Sequence, residues 1–219
     1  SRVNMTNEPE LCLSQLHNSL RRLTSDYIDL YMVHWPDEKV DIRVTMEVLS
    51  KAKIEGKIKH IGLCNTNEDE FIKASEVDKI EALQSQFNFF EQDISKDLFP
   101  IVKDQDISLM SWGTLDKGIL TGRVNRNRTF DKSDCRSWAP WWKAMDKESR
   151  YDIVERMQPA LEEHGISGLD FAIHFNLSHG ELSTVLCGAR NQEQLDGVLN
   201  SLEKKVSDET LREIIKSVS

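Results

Sequence analysis

The sequence predicts an α/β protein built on a parallel sheet, and two observations support this fold class. Strand and helix patterns alternate four times in a row over about a hundred residues. The predicted strands are short, apolar and partly β-branched, as buried strands usually are. Alternation of this kind calls for right-handed crossovers between parallel strands. No G-x-G-x-x-G sequence follows any predicted strand, so a Rossmann dinucleotide fold has no direct support.

The elements of the first half follow from apolar spacing and from turn residues. Leucines recur on one face of a helix predicted over residues 8–23, which Thr6 or Asn7 caps. Residues 1–3 fit the tail of an earlier strand. The segment 26–34 reads as a buried strand that ends on His34 and stops at a Trp-Pro-Asp turn. After it we predict helix 44–54, closed by Gly56, strand 60–65, helix 67–77, strand 82–88, helix 94–103 and strand 107–112.

The pattern breaks after Trp112, where an irregular stretch runs over residues 113–145. A loop of this length in a compact domain is usually a lid, a binding loop or partly disordered. It contains Trp138, Trp141 and Trp142, which either face a substrate or pack against the protein or a partner. Regular structure resumes with helices 151–164 and 169–177, strand 183–187 and helices 192–202 and 208–217.

Composition limits the classes of function. A chain of 219 residues suffices for a single domain over residues 1–219. With 28 basic and 37 acidic residues the net charge is −9, which argues against nucleic acid or an anionic membrane as the main partner. We find no apolar run of about 18 residues and no signal-peptide pattern. Four widely separated cysteines without a C-x-x-C indicate reduced thiols in a cytoplasmic protein and no metal site.

Polar or aromatic side chains stand where successive predicted strands end, at His34, Asn65, Gln84, Asn88 and Trp112. In a parallel barrel these ends form one rim, and active sites lie at that rim. Each residue alone could simply satisfy exposed backbone groups. On its position alone, His34 is equally well explained as a structural or as a catalytic histidine. Four strand ends in succession favour a site.

Four ordered blocks carry a family resemblance. They are Ser-Leu-Arg-Arg-Leu at 19–23 with the strand and His-Trp-Pro-Asp at 26–37, Gly-Lys-Ile-Lys-His-Ile-Gly with Cys-Asn at 56–65, Leu-Asp-Lys-Gly-Ile-Leu-Thr-Gly at 115–122, and Gly-Ala-Arg-Asn-Gln-Glu-Gln-Leu at 188–195. Over essentially all of its length, the sequence resembles the aldo-keto reductases. The resemblance implies a (β/α)8 TIM barrel that binds NADP(H) and transfers a hydride to or from a carbonyl or alcohol substrate.

The resemblance also implies roles for single residues. His34 matches the histidine that polarises the substrate carbonyl. Asn65 and Gln84 match the residues that hold the nicotinamide carboxamide, with Cys64 in place of the usual serine. Trp112 matches the aromatic residue that stacks on the nicotinamide ring, and an indole offers a larger face than the usual tyrosine.

The phosphate and adenosine ends of the cofactor have candidates as well. Arg190 suits a 2′-phosphate, which favours NADP over NAD; an exposed surface arginine is the alternative. Trp35 and Trp138 are the candidates for substrate contact. The pyrophosphate path matches Gly113, Leu115 and Lys117, and the adenosine end matches Gly188, Ala189, Arg190 and Gln194.

The sequence departs from the family pattern at catalytic and cofactor positions. The family's tetrad is Asp, Tyr, Lys and His; Arg2 stands at the lysine position, and the positions of Asp and Tyr precede Ser1. Gly197 and Val198 replace the usual Glu-Asn pair at the adenine. Two hypotheses follow: a reductase whose first two βα units lie outside these residues, which supply about six strands, or an inactive relative that binds a cofactor or a partner.

Overall fold

The computed structural model describes residues 7–219. The strand tail predicted over residues 1–3, the catalytic position Arg2 and the capping position Thr6 therefore lie outside the described residues.

Within the described residues, five strands form one sheet in the order β1-β2-β3-β4-β5. The strand β1 pairs with β2 and β2 with β3 in parallel, with Leu30 opposite His60 and Gly62 opposite Ala82. The last strand is two residues long, whereas the sequence predicts five over 183–187. The strands are β1 (Ile28–Val33), β2 (Ile58–Cys64), β3 (Ala82–Gln86), β4 (Ser108–Trp112) and β5 (Thr184–Val185).

Every predicted helix is present, with ends shifted by up to four residues. One further short helix lies inside the stretch predicted as irregular, where Pro140 occupies a first-turn position. That stretch also holds two 3₁₀ turns, Asp116–Gly118 and Cys135–Ser137. The helices are α1 (Pro9–Leu23), α2 (Ile42–Ile54), α3 (Glu68–Ser75), α4 (Ile94–Gln105), α5 (Pro140–Ala144), α6 (Lys147–Glu163), α7 (Gly168–Leu177), α8 (Gln192–Leu202) and α9 (Asp208–Val218).

Capping explains most of the shifted helix starts. The prediction that Asn7 caps α1 is wrong, because Glu8 occupies the N-cap position and its side chain makes no capping bond. The helix α2 begins earlier than predicted because the Asp41 carboxylate accepts a hydrogen bond from the Arg43 amide. In the same way, Asp146 accepts from the Ser149 amide and starts α6 four residues before the predicted position.

The described chain falls into two compact units, each with its own core. Unit 1 comprises the described residues up to Gln86 together with Gln92–Ser111 and Glu181–Thr184. In this unit α1 and α3 pack against α2, and α2 packs against β2. Its fully buried side chains include Leu16, Met46, Leu49, Leu63, Phe71 and Leu83.

Unit 2 comprises Phe87–Glu91, Trp112–Gly180 and Val185–Ser219. Here α6 packs against α9, and α7 against α8. The ring of Phe87 stacks on that of Phe175 with their centroids 5.8 Å apart. A single domain over residues 1–219 stays a prediction. Among the described residues, no helix combines the length and the apolar character needed to cross a membrane.

Candidate active site

His34 directly follows Val33, the last residue of β1, and so lies at the end of the strand as the sequence predicts. The imidazole is exposed, and its centroid lies 6.2 Å from that of the Trp35 ring. The turn that follows is closed by Asp37, whose carboxylate accepts from the Lys39 amide at 3.0 Å. His34 therefore stands at a strand end, with its ring accessible to a ligand.

Asn65 follows β2 and links the residue after β1 to a residue in the middle of β3. It adopts a left-handed backbone conformation with φ of 54°, which asparagine tolerates better than most residues. Its side-chain amide donates to the His34 carbonyl oxygen at 3.0 Å, and its backbone amide donates to the Gln84 carbonyl oxygen at 2.7 Å. Three predicted site residues, from three different strands, are thus neighbours in one row.

Cys64 precedes this row and points into the protein. Its side chain is buried, with Sγ 3.9 Å from Met32 Sδ. Burial raises the pKa of the Cys64 thiol to about 11, so the group stays protonated at neutral pH. The contacts of this side chain are those of packing, and its part in holding a cofactor stays a prediction.

In unit 2, the segment after Trp112 is held by Asn88. The Trp112 carbonyl oxygen accepts from the Phe87 amide at 3.1 Å. The buried Asn88 side chain donates to the Gly113 carbonyl oxygen at 2.9 Å and accepts from the amides of Phe90 and Glu91. Asn88, which the sequence grouped with the strand-end polar residues, is therefore a structural residue that fixes the start of the candidate pyrophosphate loop.

A buried ion network underlies that loop. Asp116 is fully buried and accepts from Lys117 Nζ at 3.1 Å and from Arg150 Nη1 at 2.8 Å. Arg150, from α6, also pairs with Glu91. Both Asp116 and Lys117 have positive φ, at 44° and 58°, and the Leu115 carbonyl oxygen accepts from the Gly118 amide. Lys117, a predicted phosphate ligand, thus has its ammonium group paired with a buried carboxylate.

A second set of charges connects the loop with the candidate adenosine residues. Arg136 donates through Nη1 to the Lys117 carbonyl oxygen at 2.7 Å and pairs with Asp134 at 2.6 Å. The same Asp134 oxygen pairs with Arg190 Nη1 at 3.1 Å. Hydrogen bonds from Arg136, with the nearby Arg190 charge, hold the pKa of Asp134 far below its ordinary value. Two segments separately predicted to bind the cofactor therefore meet through Asp134 and Arg136, neither of which the sequence identified as a site residue.

The start of α8 orders the remaining adenosine candidates. Asn191 caps the helix by accepting from the Gln194 amide at 2.9 Å. The Gln194 side chain accepts in turn from the Arg190 backbone amide at 2.9 Å. Gly188 and Ala189 are exposed immediately before this turn. Gln194 thereby fixes the backbone from which the Arg190 guanidinium extends.

The sequence and the fold of this chain are similar to those of known proteins. A sequence model described as the aldo/keto reductase family matches residues 2–218. The chain belongs to the aldo-keto reductase family. The aldo-keto reductase YhdN of Bacillus subtilis is 32% identical over 201 residues, which are 88% of this chain and 61% of that protein. The NADH-specific methylglyoxal reductase of Escherichia coli is 28% identical over 91% of this chain and 62% of its own length.

The solved structure of a glycerol dehydrogenase from Gluconobacter oxydans superimposes with a TM-score of 0.82 at 30% identity, covering 97% of this chain and 64% of that one. The predicted fold, a TIM barrel of aldo-keto reductase type, is confirmed by this similarity. This chain spans slightly more than three fifths of the length of these relatives.

The three tryptophans within residues 138–142 divide into two kinds. Trp142 is buried and meets the Phe130 ring edge-on, with centroids 5.6 Å apart, which is a packing role. Trp138 is 59% exposed and Trp141 is 44% exposed. The packing alternative therefore holds for Trp142, while substrate contact by Trp138 or Trp35 stays a prediction.

Proposed function

We propose that this protein is an oxidoreductase that transfers a hydride between NADP(H) and a small carbonyl or alcohol, such as an aldehyde, a ketone or a sugar-like compound. The observation that carries the proposal is the row of His34, Asn65 and Gln84 on or directly after the neighbouring strands β1, β2 and β3, joined by hydrogen bonds of 3.0 and 2.7 Å. Family membership supports the class of reaction. Two of the relatives described above, a methylglyoxal reductase and a glycerol dehydrogenase, carry names that state a small oxygenated substrate.

His34 has the chemistry for the carbonyl end of this reaction. A neutral imidazole N–H donates to a carbonyl oxygen and stabilises the negative charge that develops there during reduction. The ring is exposed at the end of β1, where a substrate reaches it. In the family's tetrad a tyrosine donates the proton, and we assign that step to no residue of this chain. When bound, the nicotinamide supplies the hydride.

Each unit offers groups that suit a part of a nicotinamide dinucleotide. In unit 1, Asn65 and Gln84 offer amide groups that match the carboxamide. Trp112, which belongs to unit 2, offers a flat apolar face. In unit 2, Lys117 and Arg190 supply positive charge for phosphates, and a guanidinium binds a phosphate through parallel hydrogen bonds. These groups support NADP(H) as the cofactor. The four cysteines are all free thiols, which supports a cytoplasmic location.

The proposal is tested by following the absorbance of NADPH with the full-length protein and a panel of small aldehydes, ketones and sugars. We expect turnover with at least one of them, and a loss of about a hundredfold or more in kcat for His34→Ala. The matched control is His17→Ala, because His17 is an exposed histidine on α1, outside the candidate site.

Three outcomes of this experiment separate the possibilities. Cofactor binding without any turnover identifies the alternative, an inactive relative that binds a cofactor or a partner. Turnover that survives His34→Ala removes His34 from the mechanism and leaves the rest of the proposal standing. Absence of binding by either NADPH or NADH refutes the proposed function.

A further inference from the structure

We infer that Asp134 is a specificity-determining residue, whose carboxylate competes with the 2′-phosphate of NADP(H) for the guanidinium of Arg190 and so narrows the preference for NADP(H) over NAD(H). This inference rests on the proposed function, because it takes Arg190 as the residue at the adenosine end. The observation behind it is the ion pair between Arg190 Nη1 and Asp134 Oδ2 at 3.1 Å.

The carboxylate is the fixed member of this pair. Asp134 Oδ1 accepts from Arg136 Nε at 2.9 Å and from the Arg136 backbone amide at 3.0 Å, and Oδ2 accepts from Arg136 Nη2 at 2.6 Å. Arg136 is itself anchored by the Lys117 carbonyl oxygen and lies over the Phe130 ring, 4.3 Å from its centroid. Asp134 therefore keeps its position whether or not Arg190 is bound to it.

Arg190 is the movable member. Its side chain is 65% exposed, against 13% for Asp134, and it makes one ion pair among the residues that the structure describes. A guanidinium has five N–H donors, so a phosphate can bind to those that Asp134 leaves available. Any phosphate placed there also lies within a few ångströms of the Asp134 carboxylate, which repels it.

The balance of charges decides the direction of the effect. Arg136 and Arg190 contribute two positive charges, and Asp134 cancels one of them. A 2′-phosphate carries roughly −1.5 to −2 charges at neutral pH, as other phosphomonoesters do, whereas the ribose hydroxyl of NAD(H) carries none. Removing the Asp134 charge therefore strengthens NADP(H) binding and leaves NAD(H) binding nearly unchanged.

The test measures the dissociation constants of NADPH and NADH directly, by quenching of tryptophan fluorescence at low ionic strength, for wild type and for Asp134→Asn. We expect the ratio of the two constants to shift about tenfold towards NADPH, the size of one screened charge interaction at short range. Asparagine keeps an oxygen that can accept from the Arg136 amide. Asp134→Ser, which also retains a capping oxygen, is the second variant and is expected to give the same shift.

Two further variants show whether the effect passes through Arg190. The matched control is Asp131→Asn, in the same loop, because the Asp131 carboxylate accepts from the Ser133 amide and makes no ion pair within residues 7–219. We expect it to leave the ratio unchanged. In Arg190→Leu, the addition of Asp134→Asn is expected to shift the ratio much less than it does in wild type.

An unchanged ratio in both Asp134 variants, with wild type binding both cofactors, overturns the inference and leaves the proposed function intact. The same holds for an equal shift in Asp131→Asn, or for a full shift in the absence of Arg190. If wild type binds neither cofactor, both the proposed function and this inference fall.

Discussion

The buried pair of Asp116 and Arg150 provides the strongest stability test of this structure. The Asp116 side chain is fully buried, and its partners are Arg150 at 2.8 Å and Lys117 at 3.1 Å. Arg150→Met keeps most of the volume of the aliphatic stem and removes the guanidinium. It leaves a buried carboxylate with one cation, and it leaves Glu91 without the ion pair from α6.

The expected loss follows from the burial of the charge that remains. Breaking a buried ion pair by removing one partner costs roughly 3–5 kcal/mol, because the other charge is left poorly compensated. Lys117 still reaches Asp116, so we expect the lower end, about 3 kcal/mol. For a chain of this size that loss lowers Tm by roughly 6–12 °C. Asp116→Asn in the same chain removes the stranded charge and is expected to restore most of the loss.

Thermal unfolding followed by circular dichroism, together with urea titration, measures these changes. The control is Arg156→Met on the same helix, because Arg156 is exposed and makes no ion pair within the part of the chain that the structure describes. Its expected effect is within about 0.5 kcal/mol, as for most surface substitutions. If Arg150→Met costs no more than Arg156→Met, or if Asp116→Asn fails to restore stability, the network does not have the role we assign to it.

Three further predictions follow from burial and close contact. Burial raises the pKa of Cys64 from 9.0 to about 11, so its contribution to stability is complete below pH 9 and is lost as the pH rises towards 11. Between pH 9 and pH 11, the free energy of unfolding of wild type should therefore fall by up to about 3 kcal/mol more than that of Cys64→Ala, as measured by urea titration. Native-state alkylation read by mass spectrometry should label the exposed Cys135 well before the buried Cys64, and equal labelling would contradict the burial. A Cβ on Gly168 would lie 2.2 Å from the Leu120 carbonyl oxygen, so Gly168→Ala should destabilise by about 2 kcal/mol or more, whereas Gly180→Ala, which meets open space, should not.

Local sequence patterns predicted the elements and the strand-end residues, because both depend on neighbours in the chain. Apolar runs stopped by turn residues located β1 and β2, and with them His34 and Asn65 at their ends. Capping side chains account for the boundaries that differed, as with Asp146 before α6. The Pro140 that begins α5 was a start signal within the stretch predicted as irregular.

The two charge networks could not be predicted from local sequence patterns. Arg150 meets Asp116 across 34 positions of the chain, and Arg190 meets Asp134 across 56. No helical or strand periodicity links residues at such separations, and charged residues are common enough in this sequence that composition does not single out these pairs. Only the fold shows that Asp116 is fully buried at a left-handed turn. Only the fold shows, too, that Asp134 lies between Arg136 and Arg190.

The candidate residues of unit 1 and those of unit 2 are held in place by different interactions. These interactions decide whether a substitution changes the stability of the protein or only the chemistry at the site. In unit 1 the row is held by hydrogen bonds to backbone atoms, which persist when the exposed His34 ring is removed. In unit 2 the exposed Arg190 pairs with a carboxylate that Arg136 continues to compensate. Neither substitution strands a buried charge, so each should leave stability nearly unchanged. A loss of turnover in His34→Ala, or of NADPH affinity in Arg190→Leu, therefore measures chemistry at the site, whereas a loss in Arg150→Met combines folding with function.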